Sequence, residues 1–148
     1  FVLILKTWGK ALVLIMITTI IIQLTTNTTQ ANNQIALQNS FNSNPVFIAL
    51  LAMFYAPIAE ELMFRGVFRK FIKNKKIFVI VSGVVFGLMH VIDDSKTLAE
   101  FSYVFVYSIL GIYLAGIYAK TNNLCTNIFM HFMQNTLSVI GMILLMFM

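Results

Sequence analysis

The sequence predicts an all-α fold, a polytopic transmembrane helix bundle with about five spanning helices. Of the 148 residues, 59% are hydrophobic and 10% charged, against about 45–50% and about 25% in soluble domains. Ten basic and five acidic side chains are too few to keep so apolar a chain in water. The apolar residues also fall into runs near the length of about 20 that crosses a bilayer. An ordinary soluble enzyme, a disordered tail and a nucleic-acid-binding domain are excluded together. The net charge of +5 reads as a mark of membrane topology, not as affinity for nucleic acid. One cysteine, Cys125, excludes an intramolecular disulfide, and no CxxC pair marks a zinc site.

The first apolar run covers residues 11–24, with residues 1–5 as an extension across Lys6 and Lys10. A signal peptide shares its basic start, but no A-x-A site follows, so a retained helix is expected. Residues 25–44, rich in Asn, Thr, Gln and Ser and without charge, read as a polar extracytoplasmic loop. Four further spans follow at 46–71, 77–92, 98–119 and 124–148. The chain thus divides into residues 1–44, a membrane helix plus loop, and residues 45–148, a helical core.

Basic residues set the expected orientation. Lys6 and Lys10 precede the first span, and Arg65, Arg69, Lys70, Lys73, Lys75 and Lys76 surround the turn between spans two and three. Lys120 lies between spans four and five, and only Lys96, beside Asp93 and Asp94, falls on the other side. The positive-inside rule then makes the N-terminus and the basic turn cytoplasmic. Anionic lipid head groups are compatible partners for the same cluster.

Charged and polar side chains inside spans mark function. Glu60 and Glu61 are adjacent in span two, a pairing suited to proton exchange because one carboxyl accepts while its neighbour donates. Arg65 stands four residues after Glu61, the favourable spacing for a helical ion pair. In span three, Gly83, Phe86, Gly87 and His90 share one face at 100° per residue. The GxxxG pair lets another helix approach, which turns His90 toward a helix seam. Span five starts with the one-sided stripe Asn127, His131, Asn135 and Ser138, which calls for a wet cavity or a bundle interior. The plainer reading of the stripe is interhelical hydrogen bonding. Glu60 and His90 each lie fifteen residues from Lys75, so helical rise puts them at similar depth, and His131 can join them.

Three motifs in this order resemble the CPBP family, the CAAX proteases and bacteriocin-processing enzymes also called Abi proteins. E-E-x-x-x-R matches Glu60, Glu61 and Arg65; F-x-x-x-H matches Phe86 and His90; H-x-x-x-N matches His131 and Asn135. The resemblance implies an intramembrane endopeptidase related to the type II CAAX prenyl endopeptidase, opening toward the cytoplasm. It implies that Glu60 is the base that activates water, with Glu61 as its partner and Arg65 as ion-pair support. It further implies that His90 positions the water and that His131 with Asn135 stabilises the oxyanion. Phe86 is expected as a supporting residue.

Two mechanisms use these residues: a metal-free one based on the glutamates, and one in which Glu60, His90 and His131 are the donor set of a catalytic divalent metal such as zinc. The H-E-x-x-H helix of membrane metalloproteases is absent. The expected partners are a membrane-associated protein or peptide substrate and the lipid bilayer, with no nucleic acid. The expected location is a bacterial plasma membrane. One rival reading is a non-catalytic bacteriocin-immunity or scaffold protein of the same fold. Another is an ion transporter, which should show inverted repeats or broken paired helices that this sequence lacks.

Overall fold

A computed structural model of the protein describes residues 1–93 and 95–147. Asp94, placed above beside Lys96, and Met148, the end of the expected fifth span, lie outside the described residues. The helices are α1 (Val2–Thr26), α2 (Asn32–Ser43), α3 (Pro45–Phe71), α4 (Lys75–Met89), α5 (Leu98–Thr121) and α6 (Leu124–Met146). The described residues contain no strand. The protein is an integral membrane helix bundle.

Helices α1, α3, α5 and α6 are long and apolar enough to cross a bilayer. The expected span at 77–92 is shorter: α4 has 15 residues, about 22 Å of helix, against a hydrocarbon core of about 30 Å. Lys6 and Lys10 do not interrupt α1, which continues to a left-handed Asn27 at φ 57°. Segment 25–44 departs from the expected loop, because α2 occupies most of it. Its four asparagines are weak helix formers, but Phe41 is buried against Ala52, Val139 and Met142. Tertiary packing supplies what local propensity lacks.

Local signals fix the helix starts. The Asn44 side-chain Oδ1 accepts from Phe47 N–H at 3.4 Å and Pro45 opens α3, both ordinary start signals. Asn74 accepts from Lys76 and Ile77 N–H at 2.9 and 3.2 Å to start α4. Thr97 and Glu100 form a capping box on α5, and Asn123 caps α6.

Helix α3 is not a regular α-helix. Two wide π turns, Leu51–Tyr55 and Leu62–Val67, flank the Glu60–Glu61 pair. Ala56 N–H bonds Leu51 O rather than Ala52 O, and Pro57 has no N–H to give Ala52 instead. The freed Ala52 carbonyl accepts Asn135 Nδ2–H from α6 at 2.8 Å. In the second turn Phe68 N–H bonds Met63 O, and Phe64 O accepts the Ser82 hydroxyl from α4 at 2.9 Å. Each widened turn thus offers a carbonyl to a neighbouring helix, as π turns at functional sites often do.

The expected glycine contact between helices is present. A Cβ on Gly83 would stand 2.6 Å from Ile112 N, one on Gly87 2.7 Å from Ser108 N, and one on Gly111 2.7 Å from Gly83 O. Only glycine permits that approach of α4 to α5. The two ends of the bundle are distinct. Lys6, Lys10 and Lys120 line one cavity, and Phe68, Ile72 and Phe78 of the α3–α4 hairpin pack with Tyr118 and Leu124 at that same end. At the other end, Ile22, Ala31, Val91, Tyr103 and Val104 pack together.

Candidate active site

Three donors hold the Glu61 carboxylate. It is fully buried, and its Oε1 accepts from Arg65 Nη1 at 3.0 Å and from His131 Nδ1–H at 2.9 Å. Its Oε2 accepts from Asn127 Nδ2 at 3.1 Å. Arg65, also fully buried, sends its Nη2 to Gly111 O at 2.8 Å, and Asn127 Nδ2 reaches Leu114 O at 2.7 Å. One carboxylate therefore joins α3, α5 and α6. Both charges are compensated, which burial in lipid demands.

Glu60 faces different neighbours. Its side chain is 25% exposed, and its Oε2 lies 3.8 Å from both His90 Nε2 and His131 Nε2. That oxygen has no hydrogen-bond partner in the protein. His90 directs Nδ1–H to Phe86 O at 2.8 Å, and His131 directs Nδ1–H to Glu61. Each imidazole thereby turns its Nε2 to the same carboxylate oxygen. The two adjacent glutamates thus have different surroundings: Glu61 is enclosed by donors, whereas Glu60 borders the cavity.

Phe86 supports this centre. It is buried with its ring 4.4 Å from that of His90 and 5.7 Å from that of His131, and the Arg65 guanidinium lies 5.1 Å above it. Tyr107 stacks on the far side of His90 at 4.7 Å. Glu60, Phe86, His90, Tyr107 and His131 border a cavity of about 410 Å³ that also touches Asn135, Gln134, Ser138, Asn33 and Gln34. Two contributors were missed in the sequence. Asn127 stands in the polar stripe, but only the fold shows that it holds Glu61. Tyr107 carried no signal among the aromatic residues of α5.

The sequence reading put the basic turn and the opening of the site at one end of the bundle. Because α4 is short, His90 lies beside Val91 at the end remote from the basic hairpin. The cavity runs from Glu60 toward α2, away from Lys75. The basic hairpin and the α2 stretch of the cavity lie toward opposite ends of the bundle.

Glu60, His90 and His131 are also the expected metal donors. Four-coordinate zinc with bonds of about 2.0–2.1 Å places neighbouring donors about 3.4 Å apart, whereas these stand at 3.8 Å from the shared oxygen. Among the described residues, no group of three or more His, Cys, Asp or Glu side chains is arranged to hold a metal ion. The residues as placed do not fit a metal cage.

A family described as "Type II CAAX prenyl endopeptidase Rce1-like" matches residues 42–137, a range that includes every residue of this centre. The chain belongs to that family. As a member of the Rce1-like family, it falls within a group of membrane proteases. It is 28% identical over 114 residues to a protein of Bacillus subtilis (strain 168) named "Putative membrane peptidase YdiL", covering 75% of this chain and 43% of the relative. It is 34% identical over 76 residues to "UPF0177 protein YxdF" of Lactococcus lactis subsp. lactis (strain IL1403), covering 51% of this chain and 38% of that protein. The chain thus spans less than half the length of either relative. No solved structure matches it.

Proposed function

We propose that this Rce1-like chain is an intramembrane endopeptidase that hydrolyses a peptide bond in a membrane-associated protein or peptide. The observation that carries this reading is the convergence of Glu60 Oε2 with two imidazole Nε2 atoms at 3.8 Å each, on a cavity wall. Those separations are too long for direct hydrogen bonds and suit a water oxygen held between the groups.

In this reading Glu60 takes a proton from water as the water attacks the peptide carbonyl, and His90 Nε2 holds the water by its other side. His131, kept by Glu61 in one tautomer, turns Nε2 to the developing tetrahedral centre. When protonated there it donates to the oxyanion, together with the second N–H of Asn135. The proton on Glu60 then passes to the leaving amine. All of this is side-chain chemistry, with no step through a metal. The basic hairpin is assigned to the cytoplasm on its charge.

The test compares membranes from cells carrying the wild type with membranes from cells carrying Glu60→Gln. Full-length precursors should accumulate with Glu60→Gln, and their cleavage products should vanish. If the two membrane proteomes are identical, the peptidase reading is wrong.

A further inference from the structure

The cavity is not uniform along its length. Beside Glu60 and His90 its walls include Met63 and Met89, which are 43% and 56% exposed on the outer surface of the bundle. Toward α2 the apolar lining of Leu37, Val139 and Met142 is interleaved with uncharged hydrogen-bonding groups: Asn33 and Gln34 from α2, and Gln134, Asn135 and Ser138 from α6. A second cavity of about 220 Å³ shares Gln34, Gln134 and Ser138 with it and continues past Gln23 and Gln30 to the end of the bundle. No Lys, Arg, Asp or Glu other than Glu60 lines either cavity among the described residues.

Amide side chains carry a donor and an acceptor together, the same pair that each peptide unit presents. A peptide bond is attacked only when its carbonyl is exposed, so a helical substrate must open near the cut. Within a membrane the released N–H and C=O groups each cost several kcal/mol unless they are re-paired. The row of amides supplies such partners, and Trp8 Nε1–H fixes one of them by donating to Gln134 Oε1 at 3.1 Å. A charged side chain in this passage would lose its hydration with no countercharge to meet it.

We propose that the substrate is a membrane-anchored chain whose uncharged, extended juxtamembrane segment enters from the α2 end, opposite the basic hairpin. Its backbone lies along Asn33, Gln34, Gln134 and Asn135, and its apolar anchor stands in lipid beside Met63 and Met89. This rests on the peptidase reading for the chemistry, but not for the route.

The test uses thiol labelling, which needs no turnover. Cys125 is exposed, so the single replacements Gln34→Cys, Ser138→Cys and Lys75→Cys are made with Cys125→Ser in the full chain. A membrane-impermeant thiol reagent is applied to intact cells and to inverted vesicles. Gln34→Cys and Ser138→Cys should label from one side and Lys75→Cys from the other. A capped decapeptide of Ala, Asn, Gly and Ser should slow labelling of Ser138→Cys, and the same peptide bearing two lysines should not. Gln34→Leu should raise the concentration needed for protection about fivefold, the weight of one hydrogen bond. Labelling of all three positions from one side overturns the route. Equal protection by both peptides, or by neither, overturns the substrate chemistry. The labelling pattern is expected to be the same with Glu60→Gln, so a failed peptidase reading would appear in the proteomic comparison and not here.

Discussion

His131 donates from Nδ1 to the buried Oε1 of Glu61 at 2.9 Å, and this bond fixes which nitrogen of the imidazole faces Glu60. A carboxylate that accepts from Arg65, Asn127 and His131 at once has little capacity left for a reactant. In the proposed mechanism it acts by holding the ring. A buried acid orienting a histidine through Nδ1–H recurs in hydrolytic sites, where the wrong tautomer is costly even if the geometry survives.

Arg65 gives the first prediction. Its guanidinium satisfies Glu61 and Gly111 O together, a two-ended contact that the point charge of lysine cannot copy. Arg65→Met leaves Glu61 as an uncompensated buried charge, and breaking one partner of a buried pair costs about 3–5 kcal/mol. Thermal unfolding in detergent, followed by the fluorescence of the single tryptophan Trp8, should shift down sharply for Arg65→Met and less for Arg65→Lys. An unchanged transition for Arg65→Met contradicts the bridging role.

The helix α4–α5 contact gives a second. Gly83→Ala puts a Cβ against the backbone of Ile112, which cannot move as a side-chain tip can. Overpacking of this kind costs about 1–3 kcal/mol. Gly116→Ala, where an added Cβ meets nothing within 4 Å, is the control and should leave the transition in place. Equal transitions for the two variants would falsify the close contact.

These contacts show how far the sequence could be read. The membrane bundle and the intramembrane charges were legible because charge is expensive in lipid, so each such group stood out as a candidate. Glu60 and His90 lie close together, as equal helical rise on either side of Lys75 suggested, and His131 joins them from α6. The division of labour between the glutamates was not legible, since it depends on Asn127 and Gly111 O arriving from two other helices. Helix α2 was hidden for a similar reason: its amide-rich sequence resembles a loop until Phe41 finds its pocket. The direction of the cavity follows from the shortness of α4, and an apolar run read across 77–92 overstated that length by passing through the turn at His90.

Metal removal supplies a third prediction. The separations around Glu60 Oε2 do not describe a zinc cage, so cleavage of the precursor found in the proteomic comparison should persist after treatment of the detergent-solubilised protein with EDTA or 1,10-phenanthroline. Loss of activity to the chelators, with recovery on added zinc, means that the three donors close around an ion.

The last prediction separates the two glutamates, which any mechanism treating them as one couple would not. Glu60→Gln keeps size and polarity but removes the base, and general-base catalysis contributes about 10²–10⁴-fold. Cleavage should fall by that much. Folding should be preserved, because Glu60 Oε2 has no hydrogen-bond partner to lose. Glu61→Gln should behave otherwise. Its neutral amide would face Arg65 and His131, two donors that now meet on a single carboxylate oxygen, and the uncompensated guanidinium should lower thermal stability about as Arg65→Met does. His131→Ala should also lower cleavage, by about 10²–10³-fold if it donates to the oxyanion. Combined with Glu60→Gln it should add less than its separate effect, since groups that act as a unit are not additive. Measured together, unfolding transitions and cleavage rates place each variant on one of two axes. Glu60 belongs on the rate axis alone and Glu61 on both. Equal stability loss in the two single variants would mean that Glu60, too, is held by the bundle, and the assignment of the base would then have to move.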